Sequence, residues 1–366
     1  MKKKRIYVYG TRGFPHMQGG VEKHCEYLYP ELAGRYKIYV FRRKPFLADD
    51  EPELPGDIEF IDLPSTRRAG CEAFFHSFLC TLYCLLVRPD IIHVHNIGPG
   101  IFIPLLKMAG LKVVLTYHSV NYEHDKWGFW AKKVLKISEY FATKGADRII
   151  FVNKNRIPLF SDKIQAKSVF IPNGVQLREQ TEETDYVASL GLLPGRYILS
   201  VGRITQEKGL DCLVDAFLQS NLSSCQLVLA GGIDHPTRYA EHFYRKIQEH
   251  SNILVPGYVD GENLRQLYSH ARLFVLSSYS EGFPLVLLEA MNYQLPILAS
   301  DIPGNRLLRL NDEDYFKTGD AEDLSAHLRK ELERPPHPRM YDISPYTWEK
   351  IAGQVAEVYK SQQEAS

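Results

Sequence analysis

Two carboxylates eight residues apart, Glu281 and Glu289, bracket an apolar run in the stretch SEGFPLVLLEAM. Pro284 suits the first position of a helix that runs on to the Leu295-Pro296 step. Glu289 then stands about 7.5 Å along the axis from Pro284, at about 1.5 Å per residue, and the two carboxylates face different ends of one site. The helix around Glu289 is apolar on nearly every side, and a buried unpaired carboxylate costs several kcal/mol, so Glu289 requires partners. An internal Arg or Lys, backbone donors, or a ligand's hydroxyl pair would each serve. A vicinal diol fits because a carboxylate accepts two hydrogen bonds side by side. At the helix start, N–H groups of Phe283, Leu285 and Val286 suit phosphate oxygens or sugar hydroxyls.

A second pair of charges, Arg203 and Lys208, stands five residues apart in YILSVGRITQEKGLDCL. In a strand-to-helix connection such a pair can clamp a diphosphate, Arg as a fork and Lys as a point charge; the bland alternative is two solvated cations. Gly19 and Gly20 directly precede a helical pattern carrying Val21, Cys25, Leu28 and Leu32, so backbone N–H groups there can approach an anion or simply form a Gly-rich turn. His118 closes the run KVVLTYH. His93 and His95 of DIIHVHN point to one face of a strand, but no third ligand stands at suitable spacing, and no metal site is expected. Asp312, Glu313 and Asp314 of NDEDYF lie late, in a polar loop.

These residues need elements to position them. Short runs such as RIYVYG, YKIYVF, DIIHVHN, KVVLTYHS, DRIIFVN and SVFIPNG in the first half are apolar on both faces, as parallel strands should be, and alternate with helical patterns. YILSVG, CQLVLAGG, NILVPGYV, RLFVLSS and LPILASD form a second series. The pattern is α/β, two Rossmann-like doubly wound domains in tandem. Asn-Gly and a polar stretch place the boundary near residue 175, giving domains 1–175 and 176–345. After Pro345, a terminal amphipathic helix within 346–366 is expected to cross back onto the first domain. Ligands of such sheets bind beyond the carboxyl ends of the strands, and two facing sheets make a cleft.

At 366 residues, 45% hydrophobic and 24% charged, the chain reads as globular with two domains. Six cysteines without CxxC spacing read as reduced thiols of a cytosolic protein. The start MKKKRIYVYG lacks the apolar stretch of an export signal, and FFHSFLCTLYCLLV (74–87) is too short to span a bilayer and reads as a buried helix. The net charge of zero hides an asymmetry: 26 Lys+Arg against 17 Asp+Glu up to Val175, or +9, and 18 against 27, or −9, beyond it. Lys126, Lys132, Lys133 and Lys136 mix with Trp127, Phe129 and Trp130, a composition suited either to an anionic membrane surface or to a basic helix packing its aromatics on its own domain. Nothing in this distribution points to nucleic acid.

Gly19-Gly20, VGRITQEKG, the strand PGYVD and the spaced pair EGFPLVLLE, taken in order, resemble the retaining glycosyltransferases of family 4, which have the GT-B fold. The resemblance covers essentially the whole chain, and its opening is similar to bacterial enzymes that build exopolysaccharide, capsule or lipopolysaccharide. It implies transfer of a sugar from a nucleotide-diphosphate sugar to a hydroxyl of a glycan or lipid-linked acceptor, with retained anomeric configuration and no metal or other cofactor. Glu289 would hold the ribose hydroxyls and Glu281 the transferred sugar, with His118 near that sugar. Arg203 and Lys208 would bind the diphosphate, helped by backbone of Gly19, Gly20, Gly282, Phe283, Pro284, Leu285 and Val286. Tyr258 would border the base. The catalytic group is thus Glu281, His118, Arg203 and Lys208, and the leaving phosphate would itself take the acceptor proton by a front-face route. Leu307 departs from the pattern, where glutamate is frequent. Two alternatives remain: a nucleotide-sugar epimerase of the same fold and a non-catalytic sugar-nucleotide-binding protein. A nicotinamide dehydrogenase is disfavoured because GxGxxG is missing.

Overall fold

The computed structural model describes residues 3–15, 17, 19–47, 56–67, 71–119, 129–233 and 237–364. It divides into two compact units, Met1–Gly174 with Tyr346–Ser366, and Val175–Pro345.

The first unit holds a sheet of seven strands: β1 (Lys4–Tyr9), β2 (Tyr36–Arg43), β3 (Ile58–Leu63), β4 (Ile91–His95), β5 (Val113–Tyr117), β6 (Arg148–Phe151) and β7 (Ser168–Phe170). They pair in the order β3-β2-β1-β4-β5-β6-β7, all parallel. Strands β4 and β5 are buried at every residue, which is why they are written as unbroken apolar runs. The second unit repeats the plan with β8 (Tyr197–Val201), β9 (Gln226–Ala230), β10 (Ile253–Gly257), β11 (Leu273–Leu276), β12 (Ile297–Ser300) and β13 (Tyr315–Phe316), ordered β10-β9-β8-β11-β12-β13. In both sheets the strand order reverses beside the first strand, between β1 and β4 and between β8 and β11. The loops that follow those strands therefore open on the crevice where open α/β sheets bind ligands. Gly19, Gly20, Arg203, Lys208 and Glu281 follow these strands, whereas His118 follows β5, Tyr258 follows β10 and Glu289 lies within a helix.

The expected two-sheet α/β architecture is present, with two strands more than the apolar runs indicated. Strand β3, IEFIDL, is an edge strand whose Glu59 and Asp62 break the run, and β13 is two residues long. Asp62 also holds Arg42 of the neighbouring strand through two hydrogen bonds, of 2.7 and 2.9 Å.

The expectation of a buried helix at 74–87 is corrected. Helix Cys71–Val87 buries its polar side, with His76, Ser77, Cys80, Thr81 and Cys84 inward, and exposes Phe74, Phe75, Phe78, Leu82 and Leu86, the last by 84%. The inward hydroxyls are satisfied within the helix, Ser77 donating to the Ala73 carbonyl and Thr81 to that of Ser77. Among the described residues no helix is long and apolar enough to cross a membrane.

The last helix, Trp348–Glu364, packs on the first unit. Tyr359 is fully buried and stacks edge-on with Tyr36 at 5.3 Å. Trp348 lies so close to Gly174 that a Cβ there would meet its ring at 2.6 Å.

Candidate active site

In the second unit, β8 ends at Val201 and the chain turns through Gly202, with φ of 157°, into Arg203 and then a short helical turn, Gln206–Lys208. Gly209 follows at φ 59°, and a Cβ on it would meet the Ser277 carbonyl at 2.3 Å. This close approach fastens the Lys208 loop to the loop after β11, and only glycine permits it without strain. Ser277 Oγ donates to the Lys208 carbonyl at 2.9 Å, and the Tyr279 N–H to the Glu207 carbonyl at 2.9 Å.

Fastened in this way, the two loops bring Lys208 Nζ to 2.6 Å from Glu281 Oε1. Ser278 Oγ donates to the same oxygen, also at 2.6 Å. Both ionic side chains are largely withdrawn from water, at 19% and 12% exposure, so removing either partner strands a charge at a greater cost than breaking a surface ion pair. The ammonium has three N–H donors, and one is directed at Glu281. Behind it, the Ser278 carbonyl accepts from Ser300 Oγ at 2.5 Å, and Ser300 is held by Asn305 Nδ2. A Cβ on Gly304 would come within 2.4 Å of the Glu281 carbonyl, so Gly304 too is a packing requirement of this turn. Arg203 lies on the same loop, 3.9 Å from Glu207 and about one-third exposed.

Helix Leu285–Asn292 begins after Pro284, which caps it with extended backbone and no side-chain hydrogen bond. The expected helix is therefore displaced by one residue at its start, and it ends at Asn292 rather than at the Leu295-Pro296 step, because Gln294 turns left-handed at φ 57°. No acidic side chain occupies the first turn, so the positive end of the helix is uncompensated by the first turn's own residues. Phe283 and Pro284 are buried, whereas Gly282, Leu285, Val286 and Glu289 are partly exposed. Glu289 Oε2 accepts from Tyr268 Oη at 2.8 Å. Tyr268 is completely buried and stacks flat on Tyr293, centroids 5.1 Å apart. Burial first, and then the Glu289 carboxylate, push the Tyr268 hydroxyl far above its ordinary range, so it stays protonated and donates. This internal partner was missing from the sequence reading. Tyr258, after β10, is 41% exposed.

In the first unit, Gly19 stands at φ 146° as the residue before helix Gly20–Leu32. A Cβ there would meet Glu22 Oε2 at 2.2 Å, so a carboxylate of the first turn already lies beside this helix start. His118 follows β5 and is buried. Its Nε2 is 2.9 Å from His95 Nδ1, and its ring packs edge-on against His24 with centroids 4.8 Å apart. His93 points instead to Tyr29, Tyr359 and Thr116, at 3.0, 2.6 and 2.7 Å. The third imidazole beside His95, which spacing did not supply, comes from His24 on a helix 71 residues earlier in the chain. Burial, and then the neighbouring imidazoles, hold His95 and His118 well below the usual histidine range. Burial lowers His24 to about 4 against a hydrogen bond to the Asn173 side-chain oxygen that raises it. At neutral pH the group offers lone pairs and N–H donors but no charge.

The acidic stretch Asp312–Asp314 is structural. Asn311 and Asp314 form a capping box. Asp312 pairs with Arg306, Glu313 with Lys330 and Arg334, and Asp314 with Arg339. Leu307, where the family pattern has glutamate, is buried.

Two family models match the chain, Glycosyltransferase Family 4 over residues 18–179 and Glycosyl transferases group 1 over residues 189–350. The chain is 28% identical over 264 residues to an alpha-galactosylglucosyldiacylglycerol synthase of Streptococcus pneumoniae, covering 67% of this chain and 68% of that one. It is 31% identical over 287 residues to the putative teichuronic acid biosynthesis glycosyltransferase TuaC of Bacillus subtilis, covering 75% and 66%. Among solved structures, a sucrose-phosphate synthase of Thermosynechococcus elongatus superposes with a TM-score of 0.79 at 21% identity, over 100% of both chains. HepE of Anabaena, solved with UDP and glucose, superposes with a TM-score of 0.71 at 16% identity, over 100% of this chain and 99% of that one.

Proposed function

We propose, for a chain that belongs to the glycosyltransferases of family 4 and has their GT-B fold, that it moves a sugar from a nucleotide-diphosphate sugar onto a lipid-linked glycan hydroxyl in bacterial surface-polysaccharide synthesis. The observation that carries this reading is the Lys208–Glu281 pair at the reversal of strand order, fixed by Ser278 and flanked by an uncapped helix start. A diphosphate would accept from the remaining Lys208 donors, from Arg203 and from the first N–H groups of helix Leu285–Asn292. Glu289, aimed by Tyr268, would receive the ribose diol, and Glu281 a hydroxyl of the transferred sugar. Tyr258 would border the base. In the first unit, Gly19, Gly20 and His118 take their donor roles from the family pattern; a neutral His118 suits hydrogen bonding to a sugar hydroxyl.

The bond between the anomeric carbon and the phosphate oxygen breaks as the acceptor oxygen bonds to the same face of that carbon. The acceptor proton passes to the departing phosphate, and its growing charge is stabilised by Arg203, Lys208 and the helix start. No metal enters this scheme. Because the acceptor oxygen approaches on the side the phosphate leaves, the configuration is retained.

The lipid-linked acceptor draws support from an apolar surface on the first unit. Helices Cys71–Val87, Ile103–Met108 and Phe129–Gly145 are neighbours. They expose Phe74, Leu86, Met108, Phe129 and Trp130, the last four by 73% or more. The sequence alternative, in which the aromatics pack on their own domain, does not hold for Phe129 and Trp130; Lys126 and Trp127 lie outside the described residues. Lys133 lies 5.7 Å from the Trp130 ring, and Lys132, Lys136 and Lys144 share its helix. Apolar residues rimmed by lysines suit the interface of an anionic bilayer. The S. pneumoniae relative is itself named for a glycolipid product.

The test is turnover: purified protein with nucleotide-diphosphate sugars and a lipid-diphosphate glycan in vesicles, products read by NMR. Acceptor-dependent transfer with the donor's anomeric configuration is expected. Inversion contradicts the mechanism, and release of an epimerised donor without acceptor favours the epimerase alternative.

A further inference from the structure

The imidazole cluster of the first unit contains more unprotonated nitrogen than a sugar contact needs. His24, His95 and His118 each bring one ring nitrogen to within 4.8 Å of the others, and all three residues are buried. They come from three different elements, the helix Gly20–Leu32, the end of β4 and the residue after β5.

The outer nitrogens of His24 and His95 are fixed. His24 Nδ1 is 2.8 Å from Asn173 Oδ1, and an amide oxygen only accepts, so the proton sits on Nδ1 and Nε2 is bare. Among the described residues that Nε2 is buried without a hydrogen-bond partner. An unsatisfied buried acceptor is costly unless something completes it. His95 Nε2 is held at 2.6 Å by Tyr29 Oη, which turns Nδ1 toward His118 Nε2 at 2.9 Å. Outer nitrogens anchored to an amide and a phenol, with inner nitrogens converging, is the arrangement by which proteins orient metal-ligating histidines.

We propose that His24, His95 and His118 form a three-imidazole site for a divalent transition-metal ion of the zinc class, with a fourth position for water or an anion. Metal–nitrogen bonds of about 2.0–2.1 Å in a tetrahedron place ligand nitrogens about 3.3 Å apart. The observed spread, from 2.9 Å for His95–His118 to at most 4.8 Å, brackets that distance. Three neutral imidazoles with no carboxylate select zinc, cobalt, nickel or copper over magnesium and calcium. Binding replaces the His95–His118 hydrogen bond and supplies the partner that His24 Nε2 lacks. Nothing in this inference depends on the glycosyl-transfer reading.

The test uses the full-length, untagged chain stripped with a chelator and titrated with Co2+ alone and Zn2+ alone. One tightly bound equivalent, with the intense visible d–d absorption of tetrahedral Co2+ displaced by Zn2+, is expected. His24→Gln should lower the affinity at least about 10-fold while far-UV circular dichroism stays native. Absence of the Co2+ absorption in the native protein, or unchanged binding by folded His24→Gln, overturns the proposal. If His24→Gln does not fold, X-ray absorption of the zinc-loaded native chain decides: three imidazole scatterers uphold the site, and a sphere of oxygens or fewer imidazoles overturns it.

Discussion

The two units share a strand order but differ in one buried polar cluster of each. The first buries a neutral network of His24, His93, His95, His118, Tyr29 and Tyr359 behind β4 and β5. The second places charges at the corresponding reversal, Lys208 against Glu281, with Glu289 aimed by a neutral tyrosine. Neutral imidazoles survive burial because they give up their proton, whereas an ammonium and a carboxylate survive it only as a pair. The same Rossmann-like frame therefore yields one loop cluster that lacks charge at neutral pH and another that presents it. A diphosphate is recognised by the second kind.

Breaking the charged pair should have the largest effect. Lys208→Ala removes a donor to the leaving phosphate and strands Glu281, and turnover should fall about 100- to 1000-fold. Lys208→Arg should recover only part of it, since the fork cannot occupy the same point contact with Glu281. Steady-state kinetics with a fixed donor checks both.

Acid should next separate the units. His24 and His76 have burial-depressed values of about 4 against an ordinary 6.5. The unfolded chain thus binds protons that the folded one refuses as the pH drops below about 6.5. Stability is fully present above that value and is lost as the pH falls toward 4, by about 1.4 kcal/mol per pH unit for each such group. Both residues belong to the first unit, as do all three tryptophans of the chain. Trp fluorescence melting should consequently shift to lower temperature between pH 6.5 and 4.5 by more than far-UV dichroism does for the whole chain. A common shift for the two signals would erase the contrast between the units.

Much of the second unit's site is legible in sequence because its parts are local. VGRITQEKG and EGFPLVLLE each fall within a single strand-loop-helix segment, and their spacing fixes which end of which strand they occupy. The parallel sheets are legible for the same reason, except at β3 and β13, where an edge strand carries charges and a two-residue strand carries no pattern. What escaped was non-local or depended on which face is buried. Tyr268 reaches Glu289 from the preceding helix, 21 residues away, and His24 meets His95 only because helix Gly20–Leu32 crosses the sheet. Helix Cys71–Val87 was misread since apolar content was equated with burial, while its own hydroxyls, bonded within the helix, make burial of the polar face tolerable.

Smaller effects refine the contrast. Phe129→Ser with Trp130→Ser on the first unit should reduce sedimentation with anionic vesicles several-fold at low salt. Catalysis on a soluble acceptor analogue should be unchanged. If neither the native protein nor the variant sediments at low salt, the membrane surface is wrong. Tyr268→Phe, which removes one hydroxyl from Glu289, should cost about 0.5–1.5 kcal/mol of donor binding. Calorimetry should register that as a loss of up to about ten-fold in affinity.

The most direct measurement is calorimetric titration of the native chain and of Glu289→Gln with a panel of nucleotide-diphosphate sugars, each protein's melting temperature being recorded without ligand. At least one donor should bind the native chain saturably. Glu289→Gln should bind it about ten-fold more weakly while melting at nearly the native temperature. Absence of binding by any nucleotide sugar, or equal binding by Glu289→Gln, would contradict the account.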